Sequence, residues 1–404
     1  MSTEYDIIIV GAGPAGLIAA LAAEKAGFRA ALIERADISA PRQDIRASTL
    51  AASSVVLLKK LELYPALAPH LQTVTDMMIG EGRVGDISPL SLHFDGQQRS
   101  SAMAYMIENE VLRQVCAAAA LDTKNIDVFN EQAVIDYVSC EREAVVTLDD
   151  GRALTAPLVI AADGRNSALR AMAGIAVSRH AYDQKALVVS VSHSVPHGGV
   201  AHQLFLSGGP FAILPMTDNA KGDGRACIVW SDKARAVDAA LALPAPAFKA
   251  ELMRRMGDVL GEVTLIAPAQ SYPLSLQMAE DYTKGRVALV GDAAHVILPL
   301  AGQGLNMGLR DIAALLDCMT AARAAGLDIG GASLVDYGRW RRFDNASLAA
   351  ITDGLNALFS NGVAPLRHLR RLGLASVDQV PAIRAFFMAE AAGETGDLPT
   401  LLRA

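Results

Sequence analysis

Ile7-Ile8-Ile9-Val10-Gly11-Ala12-Gly13-Pro14-Ala15-Gly16, near the start of a 404-residue chain, decides the fold class. Four consecutive β-branched residues suit a strand covered on both faces, as in a parallel sheet. The next six follow the G-x-G-x-x-G pattern in the setting it requires, with a strand before and a helix (Gly16–Ala26) after. Gly11 permits the tight turn, Gly13 lets bare backbone approach a pyrophosphate, and Gly16 lets helix and strand pack closely. Pro14 and Ala15 lead into the helix, whose amino end carries roughly half a positive charge and faces the anion. A second strand, Ala30–Glu34, ends 18 residues beyond Gly16. There the Glu34 carboxylate can accept ribose hydroxyls, and Arg35 flanks it on the cofactor. The uncharged run Ile7–Ala23 reads as neither leader nor membrane span. Glu4 and Asp6 precede it, and three glycines and a proline break it. The expectation is a cytoplasmic protein.

Two later turns extend the pattern. Leu158–Ala162 is a short apolar strand running into Asp163-Gly164-Arg165-Asn166-Ser167-Ala168-Leu169-Arg170, of the form D-G-x-x-S-x-x-R. Val287–Val290 runs into Gly291-Asp292-Ala293-Ala294-His295 and then Pro299-Leu300-Ala301-Gly302-Gln303-Gly304-Leu305-Asn306-Met307-Gly308. One Asp-Gly pair is an ordinary surface turn. Two, 128 residues apart and each behind an apolar strand, suggest one nucleotide-binding sheet assembled from several segments. Asp292 is then placed to bond a ribityl hydroxyl, and Gly302, Gly304 and Gly308 bring backbone against a flat ring. The helix starting near Gly304, with Leu305 and Asn306 in its first turn, aims its amino end where reduced flavin carries negative charge. These turns favour FAD over a plain NAD site.

Between the motifs, Ala186–Val195, His202–Met216 and Ala226–Ser231 are partly alternating and rich in Val, Leu and Phe, the mark of an inserted antiparallel sheet. The expected division is a Rossmann-like α/β FAD-binding domain over 1–72, 102–178 and 277–330. A substrate domain takes 73–101 and 179–276, and C-terminal helices take 331–404. Leu348, Ile351, Leu355 and Leu358 fall at helical spacing in that tail. Leu206, Phe211, Ile213 and Pro215 are the candidate pocket residues, although alternation does not say which face is inside. Between Arg179 and Arg225 there is no arginine to hold a carboxylate, so the pocket suits a prenylated or otherwise greasy phenol.

Composition excludes other classes. The chain is 52% hydrophobic with a net charge of −7, which argues against a nucleic-acid partner. Its four cysteines are scattered without a CxxC pair, which gives neither a zinc site nor a disulfide framework and fits a reducing compartment. No metal site is expected.

Together the three motifs resemble the aromatic-hydroxylase group of FAD monooxygenases, whose type member hydroxylates p-hydroxybenzoate, and the resemblance covers the chain, Gly209–Pro215 included. A closer similarity is to the ubiquinone-biosynthesis hydroxylases. It rests on Arg46-Ala47-Ser48-Thr49-Leu50, Glu108-Asn109 with Leu112-Arg113, and Gly302–Asp311, with Thr352–Leu355, Leu358–Asn361 and Leu369–Leu374 in the tail. The resemblance implies non-covalent FAD, NADH or NADPH as a transiently docked co-substrate, and O2. It implies oxygen transfer from a flavin C4a-hydroperoxide to a polyprenyl-phenol ring in ubiquinone biosynthesis. That chemistry needs no acid–base pair or metal; the protein holds the cofactor, orients substrate and excludes water. By the same resemblance Arg46 contacts FAD phosphate or docks NAD(P)H, Arg113 reaches the pyrophosphate, and Pro299 lies beside ring and substrate. His295 is the one candidate base, but a histidine just after a strand more often bonds backbone.

The alternatives are a hydroxylase of a soluble aromatic and a non-catalytic flavoprotein binding a quinone precursor. A flavin halogenase lacks its paired tryptophans here, since Trp230 and Trp340 are the only two. The basic segment Pro365–Leu372 either touches an anionic membrane, placing the protein peripherally at the inner membrane, or touches a partner in a biosynthetic complex, or packs its leucines inward.

Overall fold

A computed structural model describes residues 5–84, 86–87, 92–95, 102–219, 222–299, 302–359 and 388–404. The basic segment Pro365–Leu372 and the tail motif Leu369–Leu374 lie outside them.

The chain opens β1 (Ile7–Val10), α1 (Pro14–Lys25), β2 (Ala30–Glu34), β3 (Ala47–Ala51), α2 (Ala52–Lys60) and β4 (Asp76–Arg83). It continues through β5 (Ala104–Glu108), α3 (Asn109–Asp122), β6 (Ile126–Asn130) and β7 (Leu158–Ala161). There follow β8 (Val177–His193), β9 (Val200–Leu206), β10 (Gly209–Met216), β11 (Gly224–Lys233), α4 (Ala234–Leu241) and α5 (Ala245–Met256). Last come β12 (Gln270–Ala279), β13 (Val287–Leu289), α6 (Gln303–Ala324) and α7 (Ser333–Phe359).

The architecture is α/β. β13, β7, β1, β2 and β6 lie side by side in that order, all parallel, so the sheet is gathered from distant parts of the chain. Every residue of β1, β2 and β7 is buried, because the helices α1 and α6 pack on the sheet and a three-stranded antiparallel sheet (Val134–Ser139, Ala144–Leu148, Ala153–Ala156) adds Ala144, Val146, Leu148, Leu154 and Ala156 to the same core. This accounts for the unbroken apolar runs, each fully buried Ile or Leu being worth about 1.5–3 kcal/mol. α1 starts at Pro14, earlier than Gly16, since proline presets the dihedral of a first helical turn and has no N–H to leave unpaired.

The second sheet is mixed and runs His295–Val296, β12, β8, β11, β10, β9, β4. Its pairs are antiparallel except β9 with β4. β8 is 17 residues long, longer than the sequence suggested, and the Ser207–Gly208 turn divides the expected His202–Met216 segment into β9 and β10.

Alternation gives this sheet two different faces. Leu187, Val189, Leu204, Leu206, Phe211, Ile213, Ile228 and Trp230 form one core with Val237 of α4 and Phe248 and Leu252 of α5. The opposite face carries Ala186, Phe205 and Leu274, which pack on Leu298, and Val188, Met216 and Cys227, which pack on Ala104 and Met106 of β5. That second face looks toward the parallel-sheet half.

Candidate active site

The turn after β13 joins the two sheets. From β13 the chain passes through Gly291–Ala293, pairs His295–Val296 with β12, and reaches Pro299 before α6 begins. Three of the motif turns meet here. A Cβ built on Gly291 would lie 3.3 Å from the Ala15 Cβ, and one on Gly308 would lie 3.1 Å from the Gly291 Cα. Arg170, buried, donates to the Ala293 carbonyl at 2.7 Å and to Arg165 O at 3.1 Å, which ties the D-G-x-x-S-x-x-R turn to the Gly291–Asp292 turn.

The glycines fall into two kinds. A Cβ on Gly16 would sit 1.8 Å from Gly11 O, one on Gly11 (φ +103°) 2.5 Å from Ala162 O, and one on Gly302 (φ +63°) 2.6 Å from Thr49 Oγ1. These hold the chain together. Around Gly13 and Gly304 a Cβ would meet nothing within 4 Å. Both mark open space at a helix amino end, and neither α1 nor α6 has a side-chain cap to satisfy its first N–H groups.

Glu34 is buried at the glycine loop, accepting from Ala12 N at 2.6 Å and Ala36 N at 3.1 Å. Arg35 beside it is exposed. Asp163 accepts from Leu169 N at 3.2 Å through one oxygen, while its other, Oδ1, is buried with no partner. Asp292 and Pro299 are exposed on the turn.

Arg46 is clamped by Asp44 at 2.7 and 2.8 Å, and its guanidinium lies 5.2 Å from the centre of the Tyr272 ring. The Asp44 hydrogen bond, working against burial, pushes its pKa up, and the charges of Asp44, Tyr272 and Asp292 add to this. Asn109 holds that loop, donating its N–H to Arg46 O at 3.0 Å and taking the Ser48 hydroxyl at 2.6 Å.

Other candidates occupy structural positions. Arg113 is buried; it grips Glu110 at 2.6 and 2.8 Å and donates to Ile38 O and Ala40 O at 2.8 Å. It shapes the loop that carries Arg42, whose guanidinium stands 3.4 Å from Glu34 Oε1. The Asn306 side chain clamps α6 to β3 and α2, accepting from Ala51 N and the Ser54 hydroxyl and donating to Thr49 O, all within 2.9 Å. Leu305 follows in the half-buried first turn of α6.

His295 bonds a carboxylate rather than backbone: its Nε2 is 2.6 Å from Asp311 Oδ2. Asp311 also accepts from Gly291 N at 3.1 Å, Arg341 Nε at 2.8 Å and Asn345 Nδ2 at 3.0 Å. His295, Asp311 and Arg341 are all 1% exposed or less, so this is internal bracing behind the turn. Burial alone would raise the Asp311 pKa, but the His295 and Arg341 charges outweigh it and hold it at about 2.

Leu206, Phe211 and Ile213 require a correction. They belong to the core under α4 and α5, on the face turned away from Leu298, and Pro215 shares their side by alternation. On the opposite face, Phe205 and Leu274 pack on Leu298, the neighbour of Pro299. Sequence reading also missed Asp44, Arg42 and Tyr272. Only position could have flagged them, as polar residues in the loop after the Glu34 strand and on the strand facing it.

Open glycine cradles at two uncapped helix ends, a carboxylate at the first, an orphaned Asp163 oxygen and an exposed Asp292 at the second suit a long dinucleotide with a flat ring. Fold and site together define an FAD-dependent monooxygenase. The chain belongs to the family described as "FAD binding domain", which matches residues 4–326. Among known proteins it is 40% identical to "Ubiquinone hydroxylase UbiL" of Rhodospirillum rubrum over 96% of this chain and 89% of that one. To the "3-demethoxyubiquinol 3-hydroxylase" of Escherichia coli it is 33% identical over 94% of this chain and 96% of that one. In fold it matches p-nitrophenol 4-monooxygenase PnpA from Pseudomonas putida DLL-E4, with TM-score 0.79 and 18% identity over 98% of this chain and all of that one.

Proposed function

We propose that the chain hydroxylates the aromatic ring of a polyprenyl-phenol in ubiquinone biosynthesis, using FAD, NADH or NADPH, and O2. The observation that carries this reading is the apolar face of the mixed sheet beside the Leu298–Pro299 turn, where Ala186, Phe205 and Leu274 meet Leu298. A small aromatic acid needs a cation in its pocket, whereas a prenylated ring needs apolar walls. Full-length similarity to proteins named as ubiquinone hydroxylases points the same way.

When bound, FAD supplies reduction by the nicotinamide and transfer of one oxygen from O2. The protein's own residues hold and shield it. Glu34 is placed for the ribose diol, and the α1 amino end by Gly13, Ala15 and Gly16 for the pyrophosphate, with Asp163 and Asp292 for ribityl hydroxyls. At Gly302–Gly304 the α6 amino end would stabilise negative charge on a bound flavin ring, and Pro299 would lie beside ring and substrate. Arg46, held by Asp44 and set against the Tyr272 ring, is placed to meet a cofactor or nicotinamide phosphate.

Among the described residues no helix is long and apolar enough to cross a membrane. α7 nevertheless leaves Phe343 77% exposed and Ile351 52% exposed. We place the protein in the cytoplasm, taking its greasy substrate from the inner-membrane surface or from a partner protein.

The test is selectivity. The kcat/KM for phenols carrying one, two and three isoprene units is expected to rise with tail length, roughly tenfold or more over the tail-less phenol. A preference for the tail-less ring would remove the prenylated substrate and favour a soluble aromatic.

A further inference from the structure

One polar side chain on the Leu298 face of the mixed sheet has no part in the packing. Along β9, Leu204 and Leu206 enter the core under α4 and α5, and Phe205 turns the other way toward Leu298. Gln203 shares the side of Phe205. Across the strands it stands opposite Ala212 of β10 and Ile79 of β4, and Ile79 packs in the same cluster as Phe205, Leu274 and Leu298. Two residues along a strand is about 7 Å, so Gln203 lies one alternation from the side chain that touches Leu298, the neighbour of Pro299. Its Nε2 is buried and has no hydrogen-bond partner. Leaving a buried donor unpaired costs about 1–3 kcal/mol, while a Leu or Met would fill an apolar face at no such cost. Among the described residues, the other orphaned side-chain atom that the strand register puts on this face, His295 Nδ1, belongs to the edge strand at the far end of the sheet, behind the turn.

We propose that Gln203 is a substrate-specificity residue: its side-chain amide donates a hydrogen bond to an oxygen on the substrate's ring and so selects which carbon faces the flavin. The reason is geometric. Apolar walls grip a prenyl tail and the faces of a ring, but they leave the ring free to turn in its own plane. One fixed donor among apolar neighbours removes that freedom and presents one carbon for reaction. The inference deepens the reading of the chain as a prenylphenol hydroxylase and rests on it.

Binding, rather than turnover, tests it. Holoenzyme is titrated with a short-chain prenylphenol and with the matching prenylbenzene, following the flavin absorbance change, in wild type and in Q203L. Wild type should prefer the phenol about tenfold, and Q203L should bind the two alike. Q203M, close in shape to glutamine, stands in if Q203L loses FAD. In turnover the variant should also divert NAD(P)H equivalents into hydrogen peroxide or change the position hydroxylated. A structural role would not produce an effect that depends on the ring oxygen. An undiminished phenol preference in both variants would overturn the proposal. A preference present in wild type, lost in Q203L, but without turnover would support Gln203 while sinking the hydroxylase reading. Absence of prenylphenol binding by wild type would overturn both.

Discussion

Gly16 and Gly304 are both glycines of cofactor turns, yet for different reasons. Any side chain at 16 collides with Gly11 O, whereas at 304 it enters space the protein leaves open. Gly16→Ala should therefore fail to fold or lose several degrees of Tm. Gly304→Val should fold with nearly unchanged Tm but bind FAD at least tenfold more weakly; thermal melts and fluorescence titration of the apoprotein separate the two. Glu34→Ala removes charge-assisted bonds worth roughly 1.5–3 kcal/mol each and should cost about ten- to hundredfold in FAD affinity. Retention of FAD by that variant would refute the ribose placement. These residues were legible because their reasons are local to a turn. The roles of Arg113 and Asn306 were not, because what they hold, residues 38–40 and 49–54, is remote in sequence.

Among the elements, α6 matters most, since Asp311 on it holds the backbone of the Gly291 turn, His295 and the Arg341 guanidinium of α7 at once. With a pKa held at about 2 against an ordinary 3.8, ionised Asp311 contributes stability that is fully present above about pH 5 and fades as pH falls toward 2. The contribution is about 2 kcal/mol. Asp311→Ala leaves Arg341 buried without its partner and should cost about 3–5 kcal/mol, with weakened FAD binding because the turn loosens. In denaturant melts from pH 3 to 7, wild type should lose stability on acidification more steeply than Asp311→Asn. The strands teach a different lesson. A period of two assigns Phe211 and Ile213 to a common face, but it is symmetric and cannot say which face α4 and α5 will cover. Phe211→Ala should thus destabilise by about 3–5 kcal/mol and leave substrate preference alone. Phe205→Ala should alter KM for the prenylphenol with a smaller loss of stability.

At the level of the molecule, a parallel sheet gathered from distant segments carries the dinucleotide turns, and a mixed sheet supplies an apolar wall. The chain between β13 and α6 belongs to both and brings Asp292 and Pro299 to the seam. The parallel sheet was readable because fully buried strands and glycine turns leave strong local signals in residues 7–34, 158–170 and 287–308. The wall was readable only as an absence of arginine, since which side chains face the seam depends on contacts formed after folding. Central to the account is that the bound flavin puts one atom of O2 onto a prenylphenol at the cost of one NAD(P)H. The most direct measurement supplies purified holoprotein with a short-chain prenylphenol, NADH or NADPH and 18O2, and follows reductant consumed and product mass together. We expect consumption to be strongly stimulated by the phenol and the product to gain one 18O per NAD(P)H oxidised. A flavin-loaded protein that oxidises NAD(P)H no faster with the phenol, and yields no labelled product, would contradict it.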